Sequence, residues 1–264
     1  MFGYLMKPKT ELLLYQFMWV ADVMFRPTWR NLSGSFEEWS YRKGFLRQIQ
    51  TLEAQEWIES RETDTGRVFR LTDKGFLKAL GGRNPEERRD RGWDGKWRMV
   101  VFDLPENMRS LRKELRRQLR QAHFGCLQGS VWVSPDPMDE ICSGLRSMSL
   151  DCGVMTFLEA TTCGGEKPAD MVKSAWDFAK INRLFHSHGE HLAQLPKGTK
   201  GNIQKELLAW GAEEKALWQA CMAEDPLLPA ELLPKDYSGT SAWKKRVTML
   251  RKAGKLASSE FTKL

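Results

Sequence analysis

The stretch WSYRKGFLRQIQTLEAQEWIESRETDTGRVFRLTDKG, residues 39–75, decides how the chain begins to fold. At 100° per residue over 39–54, Tyr41, Phe45, Ile49 and Leu52 share one face, while Ser40, Lys43, Arg47, Gln50 and Thr51 lie opposite. One face suits a core and the other is basic and amide-bearing. Two β-favouring runs then flank Asp64-Thr65-Gly66, a hairpin signal with Arg61 and Arg67 on either side of the tip. Thr72 stands where an N-cap belongs, ahead of a helix opening Asp73-Lys74-Gly75. Upstream, LLLYQFMWVADVMF (12–25) reads as a buried helix, apolar on most faces. Helix, loop, amphipathic helix, hairpin and capped helix is the order of a winged helix-turn-helix.

That order assigns a chemistry to the polar face. Arg47 can read guanine bidentately, Gln50 can read adenine, and Ser40, Lys43 and Thr51 can hold phosphate. Arg61 and Arg67 would reach phosphate or the minor groove from the hairpin. The plain alternative is a solvated helix face and a charged hairpin tip, which many proteins carry for solubility.

Composition agrees without deciding. Of 264 residues, 41 are Lys or Arg and 34 Asp or Glu, a net charge of +7 that favours polyanionic partners such as DNA. Eleven Trp and thirteen Phe supply enough apolar area for cores without metal or disulfide staples. Five cysteines with no C-x-x-C pair fit reduced thiols, and the interrupted apolar stretch at 12–25 is too short to span a bilayer. A cytoplasmic protein without a membrane partner is expected.

Farther along, RMVVFDLP (98–105) reads as a buried strand and NMRSLRKELRRQLRQAHF (107–124) as a helix. That helix has an apolar stripe through Met108, Leu111, Leu115, Leu119 and Ala122. Its six basic residues, Arg109, Arg112, Lys113, Arg116, Arg117 and Arg120, read as a solvated face. A strand at GSVWVSP (129–135), a helix over 138–148 and a strand at GVMTFLEA (153–160) complete a ferredoxin-like α/β sandwich. From about residue 167 the chain reads as helical, until the prolines of DPLLPAELLPKDYSG (225–239) impose turns. The expected class is α+β: a winged helix over 1–82, an exposed charged linker over 83–92, the ferredoxin-like domain over 93–163 and a helical C-terminal domain over 164–264.

WDGKWRMVVFDLPE (93–106), the arginine-rich helix, GSVWVSP and DPLLPAELLPKDYSG, in that order behind the winged helix, resemble the PaaX family of phenylacetate-pathway repressors. The similarity runs from about residue 40 to about 245. It implies a dimeric repressor of a catabolic operon that binds double-stranded operator DNA and is released by an acyl-CoA-type effector, typically an aryl-CoA thioester. The effector is implied by the resemblance alone, and its pocket is expected between the middle and C-terminal domains. The family usually has Gly where Glu56 precedes Trp57 here, and the loop RPTWRNLSGSF (26–36) departs from its pattern.

Enzyme chemistry finds little to hold. Asp103 ends the first strand of the ferredoxin-like region, where a related nuclease fold keeps a metal-binding Asp, but a hydrolytic ion needs several converging oxygen ligands. A structural role, accepting from the helix start after Pro105, is the preferred reading, and a metal-dependent nuclease is the alternative. On a helix His186 and His188 point about 160° apart, so no zinc site is expected from the histidines, and no cofactor is called for. Neither G-x-S-x-G nor a glycine-rich phosphate loop occurs.

Overall fold

The computed structural model describes residues 10–11, 13–14, 30–31, 46–64, 66–138, 155–197 and 203–261. In chain order these give β1 (Arg30–Asn31), α1 (Leu46–Ala54), β2 (Ile58–Thr63), β3 (Gly66–Leu71), α2 (Asp73–Ala79) and α3 (Pro85–Asp90). Next come β4 (Trp97–Phe102), α4 (Arg109–Gln121), β5 (Gly125–Gln128), β6 (Val131–Ser134) and β7 (Met155–Ala160). Last are α5 (Pro168–Ala175), α6 (Phe178–Leu192), α7 (Ile203–Glu224) and α8 (Gly239–Phe261). The class is α+β. Two compact units form: Met1–Asn84 with His186–Gln219 and Thr240–Leu264, and Pro85–Phe185 with Ala220–Gly239.

In the first unit the hairpin forms in the expected register, from Ile58 opposite Leu71 to Thr63 opposite Gly66. Strand β1 pairs with β3 on the other side, giving the order β1-β3-β2. This two-residue strand lies in the loop between the first two expected helices and has no pattern of its own. The amphipathic helix expected over 39–54 is described from Leu46, so Ser40 and Lys43 lie outside the described residues. Of the apolar helix at 12–25, Leu13 and Leu14 are helical and fully buried, and the rest lies outside them. Thr72 caps α2 as expected, its hydroxyl accepting from Gly75 N at 3.0 Å. Behind this layer the helices contribute Trp218, whose Nε1 donates to Leu80 O at 3.3 Å.

The same helices carry a charged core. His188 meets Glu214 at 2.8 Å, and Arg246 Nε donates to the same carboxylate at 2.7 Å, with all three side chains fully buried. The Arg246 guanidinium lies 4.3 Å from the Trp218 ring centroid. Burial holds the His188 pKa down to about 3, helped by the nearby positive charges of Arg246, His191 and Lys245, so the ring is neutral and donates to Glu214. The Glu214–Arg246 pair carries no net charge, which keeps the buried group tolerable.

The second unit is built on a four-stranded antiparallel sheet of order β5-β6-β4-β7. Counted within the unit this is 2-3-1-4, the ferredoxin-like order, with α4 as the first crossover. Val100, Phe102, Trp132 and Met155 on one face pack with Leu115 and Leu119 of α4 and with Phe124. Strand β5, only four residues long, escaped the sequence reading, and the helix expected over 138–148 falls almost wholly outside the described residues.

Two expectations are corrected here. The segment read as an exposed linker contains α3, with Pro85 and Arg89 buried. Its charges are used internally: Arg88 and Arg91 pair with Asp136, Arg91 donates to Leu227 O at 2.7 Å, and Trp93 N donates to Glu231. The stretch from about residue 167 that reads as helical is interrupted at Trp176, which adopts an extended backbone and packs its ring against Gly125 of β5. The prolines after Asp225 prevent a long helix as expected. Asp225, fully buried, organises that turn by accepting from Leu227 N at 2.8 Å and from the Tyr237 hydroxyl at 2.6 Å.

Candidate nucleic-acid interface

Helix α1 is anchored from below by Ile49 and Leu52, which are 4% and 0% exposed. That leaves Arg47, Gln50 and Thr51 exposed on the other side, as the periodicity requires. The Thr51 hydroxyl donates to Arg47 O at 2.7 Å, which leaves its oxygen lone pairs outward. The Arg47 side chain makes no hydrogen bond or ion pair among the described residues. Among the described residues no carboxylate pairs with it.

Three devices set this helix against the hairpin. Glu56 takes φ = +56°, a left-handed conformation that ends α1 and turns the chain directly into β2. Trp57 N then donates to Leu52 O at 2.9 Å, and Trp57 is buried. Gly75 of α2 lies so close to the β2 entry that a Cβ would stand 1.8 Å from Trp57 O. Only glycine fits there.

The third device is an ion pair. Arg67 Nη2 donates to Glu53 Oε1 at 2.7 Å and to Ser60 Oγ at 2.9 Å, while the Ser60 hydroxyl donates to Glu53. Its guanidinium lies 5.2 Å from the Phe69 ring centroid. Arg67, expected to reach DNA, ties β3 to α1 in the fold. Arg61, at the other side of the hairpin, is exposed. The sequence reading missed Glu53 and Ser60. A signal existed, because Ser60 opposes Phe69, which makes Ser60 and Arg67 diagonal neighbours on one face once the turn sets the register.

The larger basic surface behaves differently. On α4, Arg109 pairs with Glu106, Arg112 donates to Leu104 O, Arg116 to Gly129 O at 3.3 Å, and Arg117 to Glu114 at 2.8 Å. Arg120 lies 5.4 Å from the Trp132 ring centroid. Hydrogen bonds from Arg117 and Gln118 hold the Glu114 pKa down to about 2, so it stays charged and paired.

The remaining candidates separate. Asp103 is exposed and takes no hydrogen bond among the described residues; the following turn is opened by Pro105 and Glu106 instead, so the expected capping role is not made. His186 lies near Glu190, His188 meets Glu214, and His191 meets Trp210 O at 2.9 Å, three histidines with three separate partners. Among the described residues no group of three or more His, Cys, Asp or Glu is placed to hold a metal, and no helix is long and apolar enough to cross a membrane. The second unit has a groove of 890 Å³ whose apolar floor includes Val172, Trp176, Phe178 and Leu232. Its charged lining is Asp170, Asp177, Glu231 and Asp236 against one lysine, Lys173.

Comparison with known proteins adds identity to this geometry. Residues 90–172 match the family described as the PaaX protein central Cas2-like domain, and residues 176–263 match the PaaX-like protein C-terminal domain. The transcriptional repressor PaaX of Escherichia coli (strain K12) is 21% identical over 226 residues, covering 80% of this chain and 69% of that protein. Among solved structures, the uncharacterized protein Rv0674 from Mycobacterium tuberculosis aligns with a TM-score of 0.50 at 21% identity, over 94% of this chain and 96% of that one. That last similarity concerns the fold.

Proposed function

The chain belongs to the PaaX family, and from that premise we propose that it is a cytoplasmic, DNA-binding transcriptional repressor acting as a homodimer. In this reading the winged helix expected over 1–82 seats α1 in the major groove with the β2–β3 hairpin as its wing. The observation that carries this reading is the exposed Arg47, Gln50 and Thr51 face, beside a hairpin clamped to it by Glu53, Ser60 and Arg67. A rigid wing fixes how deep and at what angle the helix can seat. Each copy reads one half-site, so the operator is expected to be partly palindromic.

Derepression requires an effector that binds more tightly to the conformer unable to engage both half-sites; equal affinity for both would change nothing. The groove beside Trp176 offers an apolar floor for such a molecule. Its four carboxylates against one lysine do not suit the phosphates of a coenzyme A thioester, so an effector seated there is of another class.

The test is a gel-shift or anisotropy titration on the promoter fragment next to the gene. Arg47→Ala is expected to weaken specific binding by about 1–3 kcal/mol. Unchanged affinity would remove α1 from the interface.

A further inference from the structure

We infer that the groove of the second unit is a binding site for a small amphiphilic organic cation, an ammonium group on an aromatic or alkyl body. The groove lies between two stretches of chain, 169–179 and 231–236, each described without a break. Its volume of 890 Å³ falls within the range of about 300–1,000 Å³ usual for small-molecule sites. A break between helices opens it. The extended backbone at Trp176 separates α5 from α6, and the junction residues Trp176 and Asp177 both line the groove. Its floor is held from behind. Trp176 Nε1 donates to His123 O at 3.3 Å, the Trp176 ring packs on Gly125, and the Phe178 ring meets Tyr237 edge-on at 5.9 Å. Half-buried Leu233 and Pro234 extend the apolar surface toward the opening. A floor fixed in advance spares a ligand the cost of ordering it.

The rim selects the sign of the ligand. Asp170, Asp177, Glu231 and Asp236 are exposed along it against one cation, Lys173, in a chain whose net charge is +7. The fold already uses two of these carboxylates. Asp177 Oδ1 accepts from Lys180 N at 2.8 Å at the start of α6, and Glu231 Oε1 accepts from Trp93 N at 2.6 Å. The Asp170 and Asp236 side chains take no hydrogen bond or ion pair among the described residues, so their charge is left to act on the groove. Carboxylates above an apolar floor attract a cation and repel a phosphate or a carboxylate. A bare metal ion is poorly served, because among the described residues no group of three or more His, Cys, Asp or Glu is placed to hold one. A positive group at the rim with an apolar body on the floor satisfies both surfaces. That such a molecule acts as the effector rests on the repressor reading; its binding here does not.

Isothermal titration of the full chain without DNA, using 4-phenylbutylamine as the probe, tests the groove separately from the DNA-binding face. Saturable binding in the millimolar range or tighter is expected. The acid 4-phenylbutyrate, of similar length and opposite charge, and butylamine, which lacks the ring, should each bind about tenfold more weakly or not at all. Asp170→Asn combined with Asp236→Asn, both at exposed positions, should weaken the amine about tenfold with the melting temperature unchanged, and Lys173→Gln should tighten it about twofold. Arg47→Ala should bind the amine as the wild type does, whatever becomes of its operator affinity. Absence of saturable amine binding overturns the inference. So does equal binding of the acid or of butylamine, or an amine affinity indifferent to the paired aspartate changes.

Discussion

Helices α1 and α4 both present arginine outward, and the difference between them is which charges are free to act. Helix α4 carries six basic residues, but five are tied locally, to Glu106, Leu104 O, Gly129 O, Glu114 and the Trp132 ring. Helix α1 shows a single exposed arginine, Arg47, with no such partner among the described residues. Counting cations ranks α4 first. Counting arginines without a local partner among the described residues ranks α1 first, because a guanidinium already sharing its donors with a carboxylate has less to offer a phosphate.

The severest way to break this contrast is to remove the scaffold under α1. Gly75→Ala forces a Cβ into the Trp57 carbonyl and should cost about 3 kcal/mol or more, read as a fall in the denaturant midpoint with loss of specific DNA binding. Acid probes a third kind of charged site, the buried one. His188 is neutral in the fold, with its pKa at about 3 against an ordinary 6.5, so only the unfolded chain takes up its proton as pH drops below about 6.5. Stability should therefore be full above that pH and decline toward pH 3, by at most about 1.4 kcal/mol per pH unit. Burial raises the Glu214 pKa and works the other way, reducing the slope. Melting temperatures across pH 7 to 5 should fall for the wild type and fall less for His188→Gln.

Between the two helices themselves, Arg47→Ala and Arg117→Ala form the direct pair. The first should cost the 1–3 kcal/mol of operator binding given above, and the second should change affinity by no more than about twofold. Equal losses would erase the distinction between free and tied arginines. A smaller effect sharpens it: Glu56→Gly removes a left-handed glutamate and should raise unfolding free energy by about 1 kcal/mol, with DNA affinity preserved.

Much of this was legible before any coordinates. The 3.6-residue spacing of Ile49 and Leu52 predicted which side of α1 is buried, the Asp64-Thr65-Gly66 signal set the hairpin register, and Thr72 marked the helix start. These are local rules acting over a few residues. The charged stretch after Gly81 misled for the same reason. Its composition is that of a linker, but Asp136 and Leu227, far along the chain, take up Arg88 and Arg91. Arg67 is a parallel case, paired in the fold with Glu53 on another element. The usual family glycine at position 56 was visible from resemblance, whereas its reason, a positive φ at the α1–β2 junction, was not.

By itself, then, the sequence determined the α+β class, the β2–β3 hairpin with its capped helix, and the buried side of helices α1 and α4. Tertiary structure alone decided which arginines stay unpaired among the described residues, that Arg67 braces the hairpin, that α3 packs instead of linking, and that Trp176 covers the β5 edge of the sheet. The reason is physical. Periodicity and turn chemistry act between neighbours in the chain, but the pairing of a charge or a strand edge depends on what folding brings beside it.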